Sequence, residues 1–314
     1  LGHNDGSFFL PLAPGGYQDY RPVLQAASRA FLGAPCLSSG PWDELSYWLG
    51  LLQPDQSLSE IQSSAPGYLG DAASHGFLRA ATFKSRPAHA DQLHVDLWWN
   101  GVNYAMDAGT FFYNADPPWD NRLSSTAYHN TLTIDGQDQM ERTSRFLWLN
   151  WAQAIFLPKK IQNITAAEHN GYRKLALKHR RTMEHPASNQ WIITDSILNL
   201  SHINSERSYS AQLHWLLPDS EFTLEENGLA LKLPFGLVRL KIETEAEINS
   251  SCQLLDLSIF RAGELLAGSA QPSPLHGWVS PTYGLKQPAL SLRAFFTCLP
   301  PVKVITFIDI IPLS

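Results

Sequence analysis

Residues 86–113 read RPAHADQLHVDLWWNGVNYAMDAGTFFY, and His89, His94, Asp91, Asp96 and Asp107 interrupt an otherwise apolar, aromatic pattern there. His129 follows in STAYHNTLTIDG. Imidazole nitrogens and carboxylate oxygens bind zinc at ~2.0–2.2 Å, and a catalytic zinc usually keeps three protein ligands and one open position. The same residue types can instead form a hydrogen-bonded His–carboxylate seam that ties strands together without an ion. Register decides which side chains can meet. Asn100-Gly101 between apolar runs is a strong hairpin signal. A two-residue turn there sets Trp99 against Val102 and, counting back, His94 opposite Asp107. Residues two apart share a face. Gln92, His94 and Asp96 therefore join Asn103 and Asp107 on a polar face, while Leu93, Val95, Leu97 and Trp99 form the core side. His89 and Asp91 fall on the apolar side unless the strand starts later or carries a bulge.

These residues must be positioned by strands. From about residue 76 the apolar period is two, in runs such as GFLRAATFKS, DQLHVDLWW, NTLTIDG, QWIITDSILNL, YSAQLHWLL, LVRLKIETE and KVITFIDI. Gly, Pro, Asn and Ser clusters separate the runs at the spacing of an antiparallel β-sandwich. Residues 1–70 differ. DYRPVLQAASRAFLG has a helical period and ends on Gly33, as a C-cap would. SGPWDELSYWLGLL reads as a second helix with Ser39 or Gly40 near its cap and Pro41 in its first turn. Helices first and strands after argue for a helical segment over 1–70 and a large antiparallel β-sandwich domain over 71–314, a mainly β fold.

Composition narrows the functions. The 314 residues are 44 % hydrophobic and 11 % aromatic, enough to fill substantial cores. The net charge is −6 and the densest basic run is only KHRR at 178–181, so nucleic-acid binding has no support. A polyanionic partner would need a local basic patch, because the overall field repels it. Cys36, Cys252 and Cys298 lie far apart, with no CxxC pair, and suggest neither a disulfide framework nor a thiolate zinc site. No apolar run is long enough for a membrane span. His214, inside QLHWLL, reads as a core or rim histidine with its hydrogen bonds satisfied.

Three ordered blocks carry a resemblance: His89-Ala90-Asp91-Gln92-Leu93, then Asp107-Ala108-Gly109-Thr110-Phe111, then His129-Asn130-Thr131 with Asp135-Gly136. They are similar to the heparinase II/III-like family of polysaccharide lyases. The opening GHNDG and DYRPVLQAAS resemble the end of the helical domain that precedes these blocks in that family. HGWVSPTYGLKQPA at 276–289 resembles it only in kind. The resemblance implies an α/α toroid followed by a supersandwich-like β domain, so an upstream toroid domain of the same protein is an expected partner. It implies β-elimination on a uronic-acid polysaccharide, heparan sulfate- or alginate-like, and a zinc or other divalent metal held by His89, Asp107 and His129. His94 is the alternative ligand, favoured by the plain hairpin register; family members often carry serine there.

The catalytic tyrosine and the carboxylate-binding asparagine of the family lie in the toroid, upstream of anything matching residue 1. Some members carry a catalytic histidine where this sequence has Pro87. His89 itself is then a candidate for proton transfer, with Arg86 facing the substrate carboxylate. Tyr113, Trp119 and Tyr128 are candidates for a sugar platform, or for packing under the 113–128 loop. A periplasmic or secreted bacterial setting fits such a substrate. A non-catalytic carbohydrate-binding or scaffold module, or an enzyme acting on bacterial exopolysaccharide, stays open beside the lyase.

Overall fold

The computed structural model describes residues 19–51, 66–200 and 207–313. They fall into two compact units, one holding the described residues 19–51 and the other all the rest. In the first unit an α-helix spans Arg21–Leu32 and stops at Gly33, whose φ of 75° is the left-handed C-cap conformation the sequence suggested. Gln25 joins the segments of this unit. Its Nε2 donates to Asp43 Oδ1 at 2.8 Å, and its Oε1 accepts from the backbone of Cys36 and Leu37. The second helix is shorter than its apolar pattern suggests: a 3₁₀ turn over Pro41–Asp43 continues as α-helix only over Glu44–Trp48. No described helix is long and apolar enough to cross a membrane.

The second unit is antiparallel β throughout its named strands, as the alternating patterns require. A four-stranded sheet runs Tyr68–Gly70, Ser74–Leu78, Val95–Trp99, Val102–Ala105. An eight-stranded sheet has Val302–Pro312 and Gln190–Asn199 at its centre. The third large sheet is built on Leu285–Leu299, paired with Ser251–Arg261 on one side and Tyr209–Pro218 on the other, and the short strand Leu132–Ile134 lies beyond Tyr209–Pro218. One continuous apolar core joins all three sheets, with Trp191, Trp215, Leu97, Leu213 and Ile308 all but fully buried in it. Trp191 keeps its N–H satisfied by donating to Ser74 Oγ at 2.9 Å.

One expectation needs correction. Cys252 and Cys298 face each other across neighbouring strands and are joined as a disulfide. Their separation of 46 residues hid a pairing that strand register creates. The KHRR run alternates between core and surface. His179 and Arg181 point into the core, while Lys178 and Arg180 both pair with Glu168.

Candidate metal centre

The Asn100-Gly101 hairpin forms with Trp99 opposite Val102, and both turn residues take positive φ. The register then shifts: Trp98 faces Asn103 but Leu97 faces Ala105, so a bulge lies in the return strand. The strand itself starts only at Val95. Before it, residues 91–94 make a turn in which His94 N–H donates to Asp91 O at 3.1 Å and Leu93 takes φ 61°. The bulge expected between 89 and 94 is thus a turn there and a bulge across the hairpin. Together they bring His89 and His94 to the same place.

His89, Asp107 and His129 each offer a ligand atom, and these atoms lie within 4.8 Å of one another. Asp107 Oδ2 is 3.0 Å from His129 Nδ1 and 3.6 Å from His94 Nε2. The His89 and His129 rings are 5.2 Å apart. The three imidazoles are almost wholly buried, whereas the Asp107 side chain keeps 32 % exposure.

Each block of the motif has a local reason. In the second, Gly109 N–H donates to Asp107 Oδ1 at 2.7 Å and fixes the carboxylate. Gly109 takes φ 68°, and a Cβ there would lie 2.3 Å from Ser280 O, so only glycine fits. Thr110 Oγ1 is 3.2 Å from His89 Nε2 and sets that ring. In the third block Asn130 clamps three segments: its Nδ2 donates to Val95 O and Met106 O, and its Oδ1 accepts from Leu216 N–H. Thr131 Oγ1 donates to Gln92 O at 3.1 Å. In the first block the Gln92 amide fastens the segment to Ala81 and Ala152, and Asp91 is held by Arg79 at 2.8 Å.

Hydrogen bonding separates the two candidate ligands. Asn130 N–H donates to His94 Nδ1 at 2.9 Å. That nitrogen must supply its lone pair, so the proton of a neutral His94 sits on Nε2, the atom facing Asp107 and Asp96. A protonated Nε2 cannot ligate. His129 is the reverse: Nδ1 faces the Asp107 carboxylate, and Nε2 is buried with no hydrogen-bond partner. The Asp107 carboxylate and the His89 and His129 imidazoles, whose ligand atoms lie within reach of one another, are a donor set that fits a divalent metal. Burial opposes charge on Asp107, but the imidazoles, His129 first, outweigh it and hold the carboxyl well below its usual range. Burial likewise works against His129 as a cation, yet Asp107, by charge and hydrogen bond, raises it.

The other sequence candidates are dispersed. Arg86 is exposed and lies over the Phe146 ring at 5.8 Å. Tyr113 sits between Phe146 and Tyr283. Trp119 and Tyr128 pack on a small second core of Ala108, Leu123, Leu216, Leu275 and Ala289. Lys286 Nζ stands 3.5 Å from the centre of the Trp119 ring. His214 is buried with both nitrogens bonded, Nδ1 to His129 O and Nε2 to Ser291 Oγ. The sequence reading missed Thr110 and Asn130 as positioning residues, although both stand inside the quoted blocks.

Comparison with known proteins gives the family. The family described as heparinase II/III-like, C-terminal, matches residues 71–300. A heparin-sulfate lyase of Bacteroides stercoris is 26 % identical over 145 residues, which is 45 % of this chain and 19 % of that protein. Among solved structures, a lysine-methylated heparinase III superposes with a TM-score of 0.61 at 17 % identity, covering 95 % of this chain and 42 % of that one. The heparan sulfate lyase HepC of Pedobacter heparinus gives 0.58 at 17 %, covering 94 % and 42 %. The chain therefore spans less than half the length of these relatives. From residue 71 onward it carries the antiparallel β fold of their C-terminal part, and it belongs to the heparinase II/III-like family.

Proposed function

We propose that this chain is part of a polysaccharide lyase that cleaves a uronic-acid-containing polymer by β-elimination, with a metal site in the β-sandwich. The observation that carries the reading is the meeting of His89, Asp107 and His129, one from each family block, with a ligand atom apiece within 4.8 Å of one another. A divalent ion held there would tie three separate segments together and add positive charge beside them. His94 then acts from outside, its Nε2–H turned towards Asp107.

β-Elimination needs the C5 proton removed, the 4-O leaving group protonated and the neighbouring carboxylate neutralised. His89 is 2 % exposed and set by Thr110, so we assign it to the metal rather than to proton transfer. The proton-transfer groups are then expected from the toroid domain that precedes this region in the family. Arg86, exposed near the first block, is our candidate for meeting the substrate carboxylate at the reacting sugar. A periplasmic or secreted setting is part of the proposal, supported by the Cys252–Cys298 disulfide, since disulfides persist in oxidising compartments.

A binding-only role is the second reading. It is favoured by the run of Tyr113, Phe146 and Tyr283 with Arg86 over it, rings and a cation on which a sugar chain could lie. Ultraviolet absorbance separates the two. The natural protein carrying this chain should release unsaturated oligosaccharide from heparan sulfate or alginate, and the 314-residue chain alone should turn over far more slowly. Saturated products would mean hydrolysis, and no product with retained binding would favour the module.

A further inference from the structure

A pocket of about 500 Å³ opens beside the metal-binding scaffold, lined by Arg122, Arg142, Arg173 and Lys174 with Asp138 and Glu141 as its two carboxyls. We infer that this pocket binds the anionic groups of an acidic oligosaccharide, a uronate or sulfated segment of the polymer. The inference rests on the lyase reading and locates a place for its substrate class.

The balance of charge is the first support. Four cationic side chains line it with two carboxyls, Glu141 already paired with Lys174 at 3.1 Å, and a third carboxyl, Asp120, backs Arg122 and Arg142, which still leaves a cationic excess in a chain whose net charge is −6. An anionic polymer repelled by the whole molecule needs such a local excess to be held. The volume lies within the range of about 300–1,000 Å³ of ordinary ligand sites.

Arg142 is the second support. Its side chain is only 9 % exposed, and its head group reaches Asp120 at 3.5 Å. Its Nη2 donates to Asp120 O, but its Nε has no hydrogen-bond partner, and burial, with Arg122 next, lowers its pKa. A buried guanidinium N–H without an acceptor is costly, and a carboxylate or sulfate oxygen is the acceptor that matches it. Lys286, stacked on Trp119 and Trp278, is not among the residues lining the pocket and serves as the comparison.

The pocket is also tied to the metal centre. Gln139, in its wall, donates through Nε2 to Gln92 O and accepts from Gln92 N–H at 2.8 Å. Asp138, also in its wall, accepts from Thr126 N–H at 2.7 Å, three residues before His129. A saccharide seated here would be held by the same framework that holds His89 and His129.

The test is isothermal titration of the 314-residue chain with a heparan sulfate tetrasaccharide, an alginate tetrasaccharide and neutral maltotetraose. Acidic tetrasaccharides should bind and the neutral one should not. The exposed double variant Arg173→Gln/Lys174→Gln keeps the fold and should weaken acidic binding at least tenfold, with metal content unchanged. Arg142→Gln should weaken it further. Equal affinity in the double variant, or loss with Lys286→Gln instead, would overturn the pocket assignment while leaving the lyase reading intact. No binding by the unmodified chain would overturn it too. The lyase reading fails separately, on the absence of unsaturated product from the natural protein.

Discussion

Two clusters in this domain use nearly the same residues to opposite ends. One is His89, His94, Asp107 and His129; the other is His169, His179, Asp195 and Arg181. In the second, Gly171 N–H donates to His169 Nδ1, His169 Nε2–H to His179 Nδ1 at 3.1 Å, and His179 Nε2–H to Asp195 Oδ1 at 2.6 Å. Arg181 closes the chain with two bonds to the Asp195 carboxylate. Every proton and lone pair along that line has its place, and all four side chains are out of contact with water. In the first cluster His129 Nε2 lacks a partner and Asp107 reaches solvent. Residue type does not tell the two clusters apart; whether every polar atom has a partner does.

The brace supports the site. Arg181 also donates to Leu93 O and Asn130 O, the backbone neighbours of His94 and His129. Removing its counter-ion should therefore give the largest effect. Asp195→Ala leaves a buried guanidinium uncompensated and should cost about 3–5 kcal/mol, read from urea unfolding. A change under about 1 kcal/mol would mean that the pair is not buried as described.

Gly109→Ala comes next. Positive φ and the contact with Ser280 O should together cost about 1–3 kcal/mol, and metal affinity should fall because Asp107 loses its anchor. A variant with unchanged stability and metal content would separate the second block from the site.

Acid should act on the brace in a graded way. Burial holds His169 and His179 below their ordinary 6.5, so they stay neutral when folded. As pH falls through 6.5, the unfolded chain takes up protons that the folded chain refuses, and stability drops, by up to about 1.4 kcal/mol per pH unit for each group. Burial pushes Asp195 up, but Arg181 and then His179 bring it from 3.8 to about 2, so a further loss runs between those values. Denaturant midpoints measured from pH 7 down to pH 3 should decline throughout; a flat profile would contradict the neutral assignment of the histidines.

Much of this arrangement was legible in the sequence. Alternating apolar runs gave the β class, Gly33 ended its helix as expected, and Asn100-Gly101 turned its hairpin with Trp99 facing Val102. What failed depended on contacts between distant segments. The strand Leu285–Leu299, on which one sheet is built, escaped notice because residues 289–294 are buried on both faces and show no alternation, and because Pro288 interrupts its start. The bulge after Asn103 leaves no mark in the hydrophobic pattern, so the plain register favoured His94. The proposed preference for His89 over His94 rests on one backbone N–H, that of Asn130, thirty-six residues further along the chain than His94.

Metal content measured by elemental analysis addresses the centre most directly, on the unmodified chain beside His89→Ala, His94→Ala and His129→Ala. Stoichiometric zinc or another divalent metal is expected in the unmodified chain. It should be absent from the His89 and His129 variants, and kept in the His94 variant with affinity reduced by no more than about 10–100-fold, as for the loss of an outer partner. No metal in the unmodified chain, or loss with His94→Ala alone, would contradict the assignment and return His89, Asp107 and His129 to a hydrogen-bonded seam.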